Sequence, residues 1–127
     1  MFGEKSMLGT YIVTVDSKGR IFLPKKFTYA EKGDELVLVL EDGCYALYRK
    51  DGYDIEIGRF KKRYLNAENS KIRKKAYEDM LDACKKIQKC LTIDSNNRAS
   101  LTPIYEANTN LELIGAQNSI KIMKLSK

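Results

Sequence analysis

Two short segments of this 127-residue chain place an acidic and a basic side chain four residues apart, between strand-like runs. They are Asp-Ser-Lys-Gly-Arg at residues 16–20 and Asp-Ser-Asn-Asn-Arg at residues 94–98. An Asp that opens a turn accepts hydrogen bonds from backbone amides within it. An Arg four residues later starts the return strand opposite the Asp, so we expect the carboxylate to aim the guanidinium. A guanidinium presented in this way can grip a phosphate or a guanine edge with two hydrogen bonds.

One such segment alone is equally well explained as a hairpin turn closed by a surface ion pair, which has little effect on stability. Two copies in register are harder to attribute to chance. The elements around them also repeat. The sequence predicts strands at residues 10–15, 20–23, 35–40 and 44–48, and again at 90–93, 98–101, 111–114 and 119–123. A helical turn is expected at residues 25–31.

The middle of the chain reads as two helices. Asp51 is a candidate N-cap for the first, and the second is expected to begin near Asn69 or Ser70. Apolar residues at helical spacing predict a packed stripe on the second helix, comprising Ile72, Ala76, Met80, Cys84 and Ile87, widened by Tyr77 and Leu81.

The two strand-rich segments can be aligned over most of their length. Asp16 falls on Asp94, Arg20 on Arg98 and, after a three-residue deletion, Leu36 on Leu111. Four short strands cannot bury both faces alone. We therefore predict a single α+β domain over 1–127 in which tandem duplicated double β-hairpin halves form an intramolecular pseudo-dimer. The first half spans 7–50, the helical pair 51–88 and the second half 89–127.

Composition limits the classes of function. The net charge of +6 and pI of 9.2 permit an anionic partner such as nucleic acid, although the basic excess lies mostly in the helical middle. The absence of histidine, of a Gly-rich phosphate loop and of a nucleophile elbow argues against an enzyme, a cofactor or a metal site. With no signal-like start and no apolar run longer than LVLVL at 36–40, a cytoplasmic protein without a membrane partner is expected.

The segment MLGTYIVTVDSKGRIFLPKKF, residues 7–27, resembles the N-terminal signature of the MraZ family of bacterial regulators, within the AbrB-like swapped-hairpin group. The repeat, the helical pair and the short chain match that family too, so the resemblance covers nearly the whole sequence. The positions that match the signature are Gly9, Tyr11, Thr14, Asp16, Lys18, Gly19, Arg20, Pro24 and Phe27.

The resemblance implies AbrB-like halves and a cytoplasmic, nucleoid-associated transcriptional regulator. It would bind double-stranded DNA at direct repeats upstream of the division and cell-wall gene cluster, as a ring-shaped homo-oligomer. The family's DxxxR loops contact DNA. The carried-over DNA-binding residues are Arg20 as the main contact, Lys18 as its helper and Arg98 as the counterpart, with Asp16 and Asp94 orienting the arginines and Lys25 flanking them.

The second loop departs from the family pattern. Asn96 and Asn97 replace the Lys-Gly of the first loop, and Thr102 stands where Pro24 stands in the first copy. The second loop therefore lacks a lysine, while Asn97 can replace a glycine by adopting a left-handed backbone.

Two other functions fit the pattern less well. An AbrB-type antitoxin binds a toxin and operator DNA, usually with one hairpin module and a disordered tail, whereas this sequence has two modules and no long tail. A ring-forming protein-interaction module without a DNA function is the second alternative.

Overall fold

The structure is a computed structural model that describes residues 9–24, 33–116 and 119–125. In this part of the chain the fold is α+β, as predicted, with antiparallel strand pairing throughout. The elements in chain order are β1 Gly9–Thr14, β2 Arg20–Phe22, β3 Glu35–Glu41, β4 Cys44–Arg49, α1 Lys50–Leu65, α2 Ser70–Lys86, β5 Ile87–Thr92, β6 Arg98–Ser100, β7 Asn110–Ala116 and β8 Ser119–Lys124.

The strands form a six-stranded sheet in the order β1-β7-β8-β4-β3-β5 and a short ribbon of β2 paired with β6. We call this pair the β2–β6 ribbon. If β1 is exchanged with β5, β2 with β6, β3 with β7 and β4 with β8, the sheet order reverses and every pairing is kept. Strands of one half therefore pair with strands of the other, as β1 does with β7 and β5 with β3.

The main core lies between the ribbon and one face of the sheet. Alternation along the strands sends every second side chain inward. Ile21 and Ala99, the middle residues of the two ribbon strands, are fully buried there. So are Leu36 and Leu38 on β3, and Leu111 and Leu113 on β7, the positions with which they align in the sequence.

The helices lie on the opposite face of the sheet, over β3, β4 and β5. Val37, Val39 and Ala46 are buried beneath them and pack with Tyr53 of α1. The Tyr53 hydroxyl donates to the carbonyl of Ala83 at 2.8 Å, which ties α1 to the end of α2.

The predicted cap of the first helix is wrong. Helix α1 begins at Lys50, directly after β4, and Arg49 precedes it without a side-chain cap. Asp51 lies within the first turn and accepts from the Arg49 guanidinium at 2.9 Å. The predicted start of the second helix is confirmed, because α2 begins at Ser70. Asn69 caps it, with Oδ1 accepting the amide of Ile72 at 2.9 Å.

The packed stripe on α2 is largely wrong. Ala76 is buried, but Ile72, Tyr77 and Cys84 are exposed. Ile87 belongs to β5, which continues from the end of α2 and so starts three residues earlier than predicted. The apolar periodicity identified the helix correctly but overstated how much of its apolar face is buried, because the sheet contacts only part of that face.

The helical turn predicted at 25–31 lies outside the described residues. Neither α1 nor α2 combines the length and apolar character needed to cross a membrane. Among the described residues, no group of three or more His, Cys, Asp or Glu side chains is placed to hold a metal ion.

Candidate nucleic-acid interface

The first DxxxR turn is held together by one carboxylate. Asp16 Oδ1 accepts the amides of Lys18 and Arg20, both at 2.9 Å, and Oδ2 accepts from Arg20 Nε at 2.9 Å. The backbone closes the same turn through the amide of Gly19 and the carbonyl of Asp16 at 3.0 Å. Gly19 has a φ of 80°, which a residue with a side chain rarely adopts. The Asp thus shapes the turn and fixes the direction of the Arg.

The second turn repeats this geometry despite its different sequence. Asp94 Oδ1 accepts the amides of Asn96 at 2.9 Å and Arg98 at 2.8 Å, and Oδ2 accepts from Arg98 Nε at 3.1 Å. Asn97 takes the place of Gly19 with a φ of 61°. The prediction that Asn97 adopts a left-handed backbone is confirmed, and the second arginine is aimed in the same way as the first.

Both turn carboxylates are stabilised in the ionised form. The backbone amide of Arg20 donates to Asp16 and is the largest cause that lowers the pKa of this carboxyl below its ordinary value of 3.8. The amide of Arg98 lowers the pKa of Asp94 in the same way. A fixed negative charge therefore lies beside each guanidinium at neutral pH.

Arg20 and Arg98 point to the same side of the β2–β6 ribbon. Ile21 and Ala99 pair with each other and face the core, so the residues on either side of them face outward. The pairing register makes Arg20 and Arg98 diagonal neighbours, a relation that separates positions by about 7–8 Å in an antiparallel pair.

Both guanidiniums are held by the Nε edge and not by the terminal nitrogens, as far as the described residues show. Each Arg uses Nε for its Asp, and within the described residues the Nη atoms have no protein partner. The two side chains are 26% and 29% exposed. Since the Asp holds only the Nε edge of the guanidinium, the two Nη atoms point away from it and can donate to two acceptors of a ligand.

Each turn is hydrogen-bonded to the strand end of the other half. The amide of Leu23 donates to the carbonyl of Asn97, and the amide of Leu101 donates to the carbonyl of Gly19, both at 2.8 Å. The side-chain amide of Asn97 also donates to the carbonyl of Leu23. These reciprocal bonds fix the two turns at opposite ends of the same ribbon.

Thr102 adds a bond that has no counterpart in the other half. Its hydroxyl donates to the carbonyl of Lys18 at 3.0 Å and lies over Gly19. Thr102, which aligns with Pro24 in the sequence, therefore supports the first turn.

Lys89 is a cation at this surface that sequence reasoning missed. Its ammonium donates to the hydroxyl of Ser100 at 3.2 Å and to the carbonyl of Thr102 at 2.9 Å. Ser100 pairs with Arg20 on the ribbon. No local pattern indicated this position, because its counterpart in the first half is Tyr11.

The structure therefore brings Arg20, Arg98, Asp16 and Asp94 together on one ribbon. Lys18 is exposed at the tip of the first turn. Lys25 lies outside the described residues, so its predicted role stays a prediction.

Comparison with known protein families places the chain beside one of them. A family model described as "MraZ protein, putative antitoxin-like" matches residues 7–76, which include the first turn and α1 but end before the second turn. Comparison with curated proteins finds no match.

Proposed function

Because the chain belongs to the MraZ family, we propose that it is a sequence-specific DNA-binding transcriptional regulator. The observation that carries this proposal is the pair of guanidiniums, each aimed by its own Asp, on one outward face of the β2–β6 ribbon. The proposal includes no catalytic step, cofactor or metal.

The dimensions of the ribbon suit duplex DNA. The major groove admits a two-stranded β-ribbon, and the paired Nη donors of an Arg match the O6 and N7 acceptors of guanine. In this mechanism Arg20 and Arg98 contact base edges. Phosphate oxygens are the alternative acceptors for the same guanidiniums. Lys18 at the turn tip contacts phosphate, which adds affinity without sequence preference.

The proposal includes a tandem duplication of AbrB-like halves. One support is the sheet, in which every strand pairing is kept when the strands of the two halves are exchanged. The other is that the two turns make matching hydrogen bonds. A duplicated module supplies two arginines from a single chain.

We further propose that the chain assembles into a ring and binds direct repeats upstream of the division and cell-wall gene cluster, in the cytoplasm at the nucleoid. Support comes from apolar side chains on the sheet face that carries the helices. Ile12, 68% exposed, and Met123 both pair with Glu112 there, away from β3, β4 and β5. One ribbon spans few base pairs, so adjacent copies on successive repeats would gain affinity through effective concentration.

The test is a gel shift with the DNA directly upstream of the chain's own gene, across a salt series. Wild-type protein should bind with a slope of log affinity against log salt of about −0.9 for each phosphate neutralised. Arg20→Ala should weaken binding, whereas Arg73→Ala, an exposed Arg on α2, should not. Equal binding by wild type and Arg20→Ala would show that the ribbon is not the DNA contact.

A second candidate is an antitoxin or protein-interaction module, which the words "antitoxin-like" in the family description favour. An interaction module predicts assembly in solution without any salt-sensitive shift of the upstream DNA, whereas an antitoxin predicts capture of a protein partner in addition to operator binding. The same gel-shift series, run beside sedimentation of the free protein, tests the interaction module, and a partner captured by the purified protein would identify an antitoxin.

A further inference from the structure

Phe22 is a large apolar side chain on the outward face of the ribbon. It is 49% exposed, while its neighbours Ile21 and Leu23 are fully buried. Within the described part of the chain its ring makes no aromatic or cation–π contact. Strand alternation explains why it points outward, but the fold does not require a ring of this size there.

The position of Phe22 links it to the arginines. It pairs directly with Arg98 across the ribbon and lies two residues beyond Arg20 on the same strand and the same face. Phe22 therefore lies beside both arginine positions on the outward face of the ribbon. A phosphate offers nothing to an aromatic ring in this place, whereas the base edges of a duplex offer one apolar group, the thymine methyl in the major groove.

We propose that Phe22 contacts the 5-methyl group of a thymine in the groove that the two arginines enter. This inference rests on the proposed function and adds a specificity-determining residue to it. Two residues along a strand cover about 7 Å, close to two base steps of about 3.4 Å. The contacted thymine therefore lies about two base steps from the guanine bound by Arg20.

The test replaces thymine by uracil in the upstream duplex, which removes the methyl groups and keeps every Watson–Crick and groove hydrogen bond. Wild-type protein should bind the uracil duplex at least about threefold more weakly for each methyl contacted, as expected for loss of one buried methyl. Phe22→Ala should lose a similar factor on the thymine duplex. On the uracil duplex, Phe22→Ala and wild type should bind with the same affinity. In a double-mutant cycle this result shows that the Phe22 ring and the thymine methyl contact each other.

Two matched variants control for side effects. Phe22→Leu keeps an apolar side chain and should retain part of the methyl preference. Leu65→Ala removes an exposed apolar residue at the end of α1 and should bind both duplexes as wild type does. Melting temperature and sedimentation of each variant report folding and assembly. If Phe22→Ala changes the assembly state of the protein, the Phe22 side chain lies in a contact between protein copies and the proposal is overturned.

The remaining outcomes separate the two levels of the hypothesis. Salt-sensitive, Arg20-dependent binding with no effect of uracil, or with the same uracil effect in Phe22→Ala, overturns the role of Phe22 alone. Absence of salt-sensitive binding by the wild-type protein overturns both the DNA-binding function and the thymine contact.

Discussion

Gly19 lies so close to Thr102 that a Cβ added to Gly19 would be 2.1 Å from the Thr102 hydroxyl oxygen. The same hydroxyl donates to the carbonyl of Lys18. A residue of the second half therefore fills the space that a side chain on the first turn would need.

Gly19→Ala should destabilise the protein for two reasons. The φ of 80° strains any residue with a Cβ, at a cost of about 1–3 kcal/mol, and the new methyl meets Thr102. Gly43→Ala is the matched control, because Gly43 also has a φ of 80° but has open space around its would-be Cβ. Urea unfolding should show a larger loss for Gly19→Ala, and adding Thr102→Ala should bring it towards the control. Equal losses for the two single variants would refute the contact.

Arg98→Ala tests whether the second turn contacts DNA. Since Arg98 has the same Asp-held geometry as Arg20, we expect a loss comparable to that of Arg20→Ala, about 1–3 kcal/mol in binding free energy for a bidentate base contact. The measurement is a titration of the upstream duplex, with Arg73→Ala as the control. Unchanged binding by Arg98→Ala would confine recognition to the first turn.

Asp16→Asn separates orientation from charge. The substitution removes one negative charge, so the net charge of the protein rises by one, which by itself should strengthen binding to DNA. It also loses the charged partner that holds Arg20 Nε, so we expect affinity to fall. Asp82→Asn, on the exposed side of α2, makes the same charge change away from the turns and should not weaken binding. A rise in affinity for Asp16→Asn would mean that the carboxylate does not aim the arginine.

Lys18→Ala should lower affinity and also flatten the salt dependence, because each bound copy then neutralises one phosphate fewer, which changes the slope by about 0.9 per copy. Lys71→Ala, on the exposed surface of α2, is the control and should leave the slope unchanged. Gel shifts across the same salt series measure both quantities. Weaker binding with an unaltered slope would exclude a phosphate contact for Lys18.

The turn carboxylates should make stability depend on pH in the acidic range. The pKa values of Asp16 and Asp94 are lowered in the folded state, so folding favours their ionised forms. Their contribution is complete above the ordinary value of 3.8 and is lost as pH falls through the lower folded values. Unfolding free energies measured from about pH 6 to about pH 2 should converge for wild type and Asp16→Asn/Asp94→Asn at the acid end. Parallel curves would contradict the assignment.

The local parts of the fold could be predicted from the sequence. The turns at Asp16 and Asp94 depend on hydrogen bonds within five consecutive residues. The strands depend on the alternation of side chains within at most seven residues. Both signals are local, so both could be predicted from the sequence. The start of α2 near Asn69 or Ser70 was predictable for the same reason, since the signal is the local hydrogen bond that Asn69 makes to the amide of Ile72.

The non-local parts could not be predicted. That Arg20 and Arg98 share a face depends on β2 pairing with β6, a relation between segments far apart in the chain. The ammonium of Lys89 reaches this surface through contacts between β5 and β6, and Phe22 is outward because its neighbours are buried. The α2 stripe failed because periodicity does not say how much of a helix face the rest of the molecule covers.

The interleaved sheet has a consequence for synthesis. Gly9 pairs with Gly115 and Thr14 with Asn110, so β1 stays without its sheet partner until about a hundred further residues have been synthesised. Until then Leu36 and Leu38 of β3 lack Leu111 and Leu113, with which they share the main core. Such late-closing β topologies fold slowly and expose nascent chains to aggregation.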